Sequence, residues 1–282
     1  MTRIGANVWI WDSPITDEVI AKVAPRVAEL GFDFIELPVE EPGGWDAARA
    51  TEVLEGAGIG AEVCCVMPPG RDLAVHDREV VAATQDYLRH CVDVADGVGA
   101  GVVAGPMYAA VGRLWLIGAT ERAETVARVG EALKPLAEYA GERDVKLAVE
   151  PLNRFETSLI NTVEQGLDLV RAVDDPALGL LLDTFHMNIE EKKPGDAARA
   201  AAGHIAHVHT CGTDRGSPGA DSFRWDEFLA GLRDAGYDGP MCIESFTSAN
   251  EVIATAAAIW RPLADSPDAL AGDGLAFLRT VT

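Results

Sequence analysis

Four apolar runs of the chain each end in a side chain that can bind a metal ion. Two glutamates, one aspartate and one histidine at a common point would suit a divalent cation bound mainly through oxygen. Burying such carboxylates without a cation or an ion-pair partner is costly, so their position needs an explanation. The terminal residues are Glu150, Asp183, His209 and Glu244, at the ends of residues 145–150, 178–183, 205–209 and 240–244.

Each run is nearly filled with apolar residues and is followed by a helical pattern, which is typical of a buried parallel strand. The whole chain alternates in this way, and the pattern predicts eight strand–helix units and one further helix at the end. The predicted strands are residues 3–9, 32–37, 60–66, 101–104, 145–150, 178–183, 205–209 and 240–244. The predicted helices are residues 17–30, 45–56, 77–97, 121–140, 162–173, 196–202, 225–235, 250–259 and 267–281.

Eight such units without a linker predict a closed (β/α)₈ TIM barrel, formed as a single domain by residues 1–282 with an extra C-terminal helix. A doubly wound open sheet is the alternative, although it rarely needs eight units. In a barrel the carboxyl ends of the strands converge on one face, where active sites lie. The four candidate ligands would therefore meet there.

Composition limits the classes of partner. The chain has 282 residues, of which 48% are hydrophobic, so it can form a sizeable core. Its 45 acidic residues against 23 basic ones give a net charge of −22, which would repel nucleic acids and anionic membranes. No apolar stretch approaches the length of a membrane span. We therefore expect neither a nucleic-acid partner nor a membrane.

The cysteines favour a reducing compartment. There are five, an odd number, with no CxxC pair and no zinc-type spacing. Reduced thiols in a cytoplasmic protein are the simplest interpretation. Residues 1–9 contain no long apolar core, so we predict no signal peptide.

Two histidines lie in the seventh predicted strand. We expect only one of them to face the barrel interior: His209 as the ligand, with His207 against the helix layer as a hydrogen-bonded core residue. Arg154 and Arg215 are the basic residues nearest to the strand ends, and each could neutralise only part of the carboxylate charge. A divalent cation would balance the cluster better.

Three motifs resemble the ketose 3-epimerases, which include D-tagatose, D-allulose (psicose) and L-ribulose 3-epimerases and belong to the xylose-isomerase-like TIM barrel superfamily. The motifs are Glu-Pro-Leu-Asn-Arg-Phe-Glu at 150–156, Leu-Asp-Thr-Phe-His-Met-Asn-Ile-Glu at 182–190, and residues 236–244. The resemblance implies that Glu150, Asp183, His209 and Glu244 bind the metal, most often Mn²⁺, with Mg²⁺ or Co²⁺ also accepted. It also implies that Glu156, His186 and Arg215 hold the sugar, and that the enzyme is a homodimer or homotetramer.

The implied reaction is inversion of C3 of a free ketose through a cis-enediolate. Inversion requires that one group removes the C3 proton and another returns a proton to the opposite face, and we assign these roles to Glu150 and Glu244. Substrate specificity should come from the first four strands, where Glu36, Cys65 and Trp115 are pocket candidates.

Other functions remain open at this stage. An aldose–ketose isomerase or a 3-keto-sugar lyase could use the same metal site, because an enediolate is common to these reactions. A DNA-repair endonuclease of the superfamily would need many histidines and a basic surface, which this chain lacks. A non-catalytic sugar-binding protein would have no reason to place two carboxylates beside a metal. Residues 67–72 and 105–115 depart from the epimerase pattern, which leaves the identity of the sugar open.

Overall fold

Eight parallel strands form a closed barrel in chain order in the computed structural model, which describes residues 2–282. The predicted TIM barrel is confirmed, and closure between β1 and β8 excludes the open doubly wound sheet. The strands are β1 (Ile4–Asn7), β2 (Phe34–Val39), β3 (Gly60–Cys65), β4 (Val102–Gly105), β5 (Lys146–Val149), β6 (Leu178–Asp183), β7 (Ile205–Thr210) and β8 (Met241–Ile243).

The helices surround this barrel. They are α1 (Asp17–Leu30), α2 (Ala47–Ala57), α3 (Arg78–Gly97), α4 (Ala119–Gly141), α5 (Val163–Val173), α6 (Thr184–Glu190), α7 (Pro194–Ala200), α8 (Trp225–Asp234), α9 (Glu251–Ala256) and α10 (Pro267–Val281), with a 3₁₀ turn at Val8–Ile10. The sequence pattern did not predict α6, which begins directly after β6. Asp183 both ends the strand and caps the helix, so no turn residues separate the two elements in the sequence.

Local chemistry sets the ends of several helices. Thr16 accepts a hydrogen bond from the Val19 amide at the start of α1, and Gly31 ends that helix in the left-handed region at φ 94°. Thr162 and Gln165 form a capping box at the start of α5. These signals are visible in the sequence, which is why the predicted bounds of α1 agree with the structure.

Close packing between β1 and β2 depends on a glycine. Gly5 lies beside Phe34 in the strand register, and a Cβ at Gly5 would lie only 2.2 Å from the Phe34 ring. No larger residue fits there without displacing the ring. The close approach allows the Phe34 ring to fill the space beside β1.

The predicted C-terminal helix is present and packs beside β1 and β8. Arg279 near its end donates hydrogen bonds to the Gly31 carbonyl and the Asp33 carboxylate. At its start, Asp268 accepts a hydrogen bond from the Trp11 indole. These contacts fix both ends of α10 to the first strand–helix unit. None of the helices in residues 2–282 is long and apolar enough to cross a membrane.

A cavity of about 450 Å³ lies at the amino-terminal end of the barrel, away from the strand tips described below. Its lining includes Arg3, Lys146 and the buried Glu62. Glu62 accepts hydrogen bonds from the Gly101 and Val102 amides, both at 3.0 Å. Burial raises the pKa of Glu62 to about 7, although Arg3 opposes the shift.

Because its pKa is raised in the folded state, Glu62 should make stability depend on pH. A carboxyl group with a raised pKa contributes stability below its unfolded pKa, and that contribution is lost as the pH rises through about 7. Glu62→Gln has no such titration. We expect its stability relative to wild type to improve by up to about 3 kcal/mol between pH 4.5 and pH 8. Urea unfolding at both pH values tests this, and a difference that does not change with pH would contradict it.

Candidate active site

The four predicted ligands meet at the carboxyl end of the barrel. Each of Glu150, Asp183, His209 and Glu244 offers one ligand atom, and these atoms all lie within 4.8 Å of one another. Every one of these side chains is buried. The strands that carry them, β5 to β8, are consecutive in the closed barrel, so their tips point to the same space.

Asp183 has two structural tasks because it is both the last residue of β6 and the N-cap of α6. Its Oδ1 accepts hydrogen bonds from the amides of Phe185, at 2.6 Å, and His186, at 3.1 Å. Its Oδ2 is left to face the cluster, 3.9 Å from His209 Nδ1. The cap therefore fixes the orientation of the ligand oxygen, and the same short helix places His186 beside the cluster.

Arg215 is the cation that the protein itself supplies to this cluster. Its Nη1 lies 2.7 Å from Glu244 Oε2 and 3.4 Å from Asp183 Oδ2, and its guanidinium lies over the rings of Phe185 and Phe246 at 4.1 and 5.3 Å. Its backbone has a φ of 69°, an uncommon conformation for a residue with a Cβ, so the surrounding contacts must hold it there.

The cluster retains negative charge after this pairing. Arg154, the other candidate partner, instead binds Glu190, with its Nε 2.9 Å from the carboxylate. Three carboxylates at the strand tips against the single guanidinium of Arg215 leave two negative charges when His209 is neutral. A divalent cation has the charge that would balance them.

Two buried atoms of the cluster also lack partners. Among the residues that the structure describes, none forms a hydrogen bond with Glu150 Oε1 or His209 Nδ1. An orphaned buried acceptor is costly, so such atoms commonly bind a ligand. Carboxylate oxygen and imidazole nitrogen suit Mn²⁺ or a similar divalent cation, and the residues therefore fit the predicted metal.

The electrostatics of the two glutamates differ. Burial raises the pKa of Glu150, and the nearby carboxylates of Glu244 and Asp183 act in the same direction against His186. Burial also acts to raise the pKa of Glu244, but His209 and Arg215 outweigh it and lower that pKa to about 2. The pKa of His209 is raised well above its usual value, because neighbouring carboxylates outweigh its burial. Its raised pKa indicates an environment that attracts positive charge.

The expectation for His207 was wrong. Residues two apart on a strand point to the same face, and both histidines of β7 lie inside the barrel. His207 Nε2 and His209 Nε2 each lie 3.0 Å from Glu36, and the two imidazole rings pack edge to face at 5.2 Å. His207 thus forms a layer beneath His209 and does not face the helices.

The three residues predicted to hold the sugar lie together above the cluster. Arg215 Nη2 is 3.2 Å from His186 Nε2 and 3.9 Å from Glu156 Oε1. Asn153, which sequence reasoning missed, joins them: its side chain donates to Glu156 Oε1 at 2.7 Å, and its backbone amide donates to His186 Nδ1 at 3.0 Å. Its position between Glu150 and Glu156 in the first motif could have identified it as a site residue.

The remaining pocket candidates are more dispersed. Cys65 ends β3 and is buried against Gly105, where a Cβ would lie 2.9 Å from its Sγ. Trp115 is half-buried under the Arg113 guanidinium, and its amide bonds to Ser158, two residues beyond Glu156. Glu36 on β2 is fully buried beneath the cluster, where its carboxylate contacts Asn7, His207 and His209.

Comparisons with known proteins identify the family. A model described as the xylose isomerase-like TIM barrel matches residues 24–281. The chain is 38% identical to a probable ketose 3-epimerase of Synechocystis sp., over 98% of this chain and 96% of that protein. The chain belongs to the xylose isomerase-like TIM barrel family. The resemblance to ketose 3-epimerases is confirmed, and with it the prediction of an isomerase.

Solved structures of this family superpose closely. A Methylomonas sp. D-allulose 3-epimerase in complex with D-allulose has a TM-score of 0.94 at 28% identity, covering 100% of this chain and 97% of that one. An L-ribulose 3-epimerase has a TM-score of 0.93 at 31% identity, covering 100% and 94%. The barrel and its helices are therefore those of the family over the whole chain.

Proposed function

We propose that this chain inverts C3 of a free ketohexose or ketopentose, with a divalent cation held by Glu150, Asp183, His209 and Glu244. The convergence of these four buried ligand atoms within 4.8 Å carries the proposal. The names of relatives support the substrate class, since they include ketose 3-epimerases and an L-ribulose 3-epimerase. Mn²⁺ is the ion we expect, with Mg²⁺ or Co²⁺ as substitutes.

The two glutamates would move the proton. One carboxylate removes the C3 proton, and the electron pair of the broken C–H bond becomes the C2–C3 double bond as the carbonyl oxygen gains negative charge. The other glutamate returns a proton to the opposite face of C3, which inverts the centre. A divalent cation, when bound, supplies positive charge beside the oxygen atoms of the enediolate. Glu150 and Glu244 follow β5 and β8, which are not adjacent in the barrel, so their carboxylates extend from separate strands towards the cluster.

The polar group above the cluster would bind the sugar. Arg215 lies 3.2 Å from His186 and 3.9 Å from Glu156, so the three side chains present donors and an acceptor in one place, and ketose hydroxyls can bond to them. Asn153 would hold Glu156 and His186 in place, because it bonds to both. We propose Cys65 and Trp115 as parts of the wall that selects the sugar.

Isotope exchange with a sugar panel tests the reaction. The protein loaded with Mn²⁺ is incubated in D₂O with D-fructose, D-allulose, D-tagatose or L-ribulose, and the products are separated and examined by NMR. We expect one C3 epimer pair to interconvert with deuterium at C3 and none at C1. Deuterium at C1 with formation of an aldose would indicate an aldose–ketose isomerase instead. A parallel incubation with a 3-keto sugar would give an elimination product if the protein is a lyase.

A homo-oligomer is supported by apolar side chains exposed near the barrel mouth. Leu114, Leu116 and Phe155 are 54%, 99% and 70% exposed, and their two segments are joined by a bridge between Arg113 and Thr157. Exposed apolar groups of this size commonly mark protein interfaces. We expect sedimentation velocity to show a dimer or tetramer that Leu116→Glu weakens. A monomeric wild type would contradict this.

The cytoplasm is the compartment we propose. All five cysteines are buried and free, as expected of a protein that keeps its thiols reduced. Trapping of thiols in cells before lysis would show reduced cysteines if this is correct, and disulfides if it is not.

A further inference from the structure

Glu36 lies one layer beneath the candidate metal cluster and is fully buried. Its carboxylate accepts from three side chains that come from two other strands. Asn7 at the end of β1 donates to Oε2 at 2.7 Å, while His207 and His209 of β7 each place Nε2 at 3.0 Å. A buried carboxylate with this many partners has one orientation available to it.

His209 connects this lower layer to the cluster. Its Nε2 faces Glu36, whereas its Nδ1 lies 3.5 Å from Glu244 Oε1 and has no hydrogen-bond partner among residues 2–282. A neutral imidazole carries one proton, and the carboxylate acceptor at Nε2 keeps the proton there. The lone pair of Nδ1 is then directed at the strand tips, where a cation would bind.

We propose that Glu36 is a positioning residue, which fixes the tautomer and the ring orientation of His209 so that Nδ1 can bind the catalytic cation. This inference rests on the proposed function only in requiring that a divalent cation binds at the strand tips. Asn7 and His207 support Glu36 through two further hydrogen bonds to its carboxylate. Carboxylates placed behind a ligating imidazole in this way also raise the basicity of the ligand.

A second cation between Glu36, His207 and His209 is the competing interpretation, since these side chains also offer closely spaced ligand atoms. It would require lone pairs on both nitrogens of His209 at once, and hence loss of both imidazole protons. The distances from Glu36 to the Asn7 amide, 2.7 Å, and to the two imidazole Nε2 atoms, 3.0 Å each, are typical of hydrogen bonds. Hydrogen bonds therefore account for the close approach of Glu36, His207 and His209 without a second ion.

Metal affinity separates these possibilities. Glu36→Gln keeps the shape of the side chain but replaces an acceptor with an amide donor facing the imidazoles. We expect its dissociation constant for Mn²⁺, measured by titration calorimetry, to rise 10- to 100-fold. Glu62→Gln is the matched control. Glu62 is also buried and lies beside Glu36 in the strand register, but its carboxylate accepts a hydrogen bond from the Gly101 amide at the amino-terminal end of the barrel. Its affinity for Mn²⁺ should be unchanged.

The outcomes are distinct. Wild type that binds no divalent cation would overturn the proposed function, whereas wild type that binds Mn²⁺ no better than Glu36→Gln would overturn only the role of Glu36. Two Mn²⁺ per chain in wild type and one in the variant would establish the second-ion site instead. If the variant does not fold, ¹⁵N NMR of histidine-labelled wild type with Mg²⁺, with His209→Gln for assignment, still decides. A protonated Nε2 on His209 supports the proposal, and a protonated Nδ1 overturns it.

Discussion

Glu150→Gln and Glu244→Gln should each lower kcat by about 10³-fold, because each removes one of the two groups that exchange a proton with C3. Both carboxylates are buried at the strand tips, and an amide of the same shape neither accepts nor delivers the proton. The assay uses saturating Mn²⁺, with bound metal measured separately. This prevents a weakened ligand from being mistaken for a lost base.

Deuterium exchange makes this prediction sharper. A variant that retains one glutamate can still remove and return a proton on one face of C3, without inversion. Each variant should therefore exchange the C3 hydrogen of only one epimer in D₂O, and the two variants should act on opposite epimers. Glu62→Gln serves as the control, since it removes a buried carboxylate at the other end of the barrel. Equal exchange of both epimers by either variant would contradict the two-base assignment.

Asp183→Asn should abolish most cation binding while the protein stays folded. The amide oxygen can still accept from the Phe185 and His186 amides, so the cap of α6 is retained, but the anionic ligand facing the cluster is lost. We expect Mn²⁺ affinity to fall more than 10²-fold and kcat/KM by about 10³-fold, because charge stabilisation of the enediolate is lost. Chelation of the wild-type metal with EDTA should cause a similar loss of activity.

The capping role is measured with a second substitution. Asp183→Ala loses the cap as well as the ligand, so urea unfolding in EDTA should show about 1–2 kcal/mol less stability than Asp183→Asn. Asp46→Ala is the matched control, because Asp46 caps α2 through the Arg49 amide and lies on an exposed helix end. Asp46→Ala should lower the free energy of unfolding by a similar amount, and it should bind Mn²⁺ with the affinity of wild type. Undiminished Mn²⁺ binding by Asp183→Asn would remove Asp183 from the ligand set.

Much of the fold follows from local pattern. Short apolar runs alternate with helical periodicity, and capping residues such as Thr16 and Gly31 lie at the predicted ends of α1. The helix α6 was missed because it is one short element directly after a strand. The helix starts at the side chain of Asp183, which acts as its N-cap. In the sequence the same aspartate is explained as a metal ligand, so it does not also indicate the start of a helix.

The site was predictable to the extent that polar residues ending apolar strands are unusual. That rule, applied only to the last four strands, found Glu150, Asp183, His209 and Glu244. Asn7 ends β1 in the same way, whereas Glu36 lies within β2; together they form the layer beneath the metal cluster. The error at His207 came from assigning residues two apart to opposite faces, although the period of a strand places them on the same face.

The sequence by itself determined the alternation of strands and helices, and it also determined the ligand types at the strand tips, because burial, capping and metal preference act through residue type and spacing. Tertiary structure decided which atoms face one another. Arg215 reaches Glu244 only through the backbone conformation of its loop, and Glu36 reaches His209 only through the register and closure of the barrel. Such contacts join strands far apart in the chain, and their geometry is fixed by packing and not by local pattern.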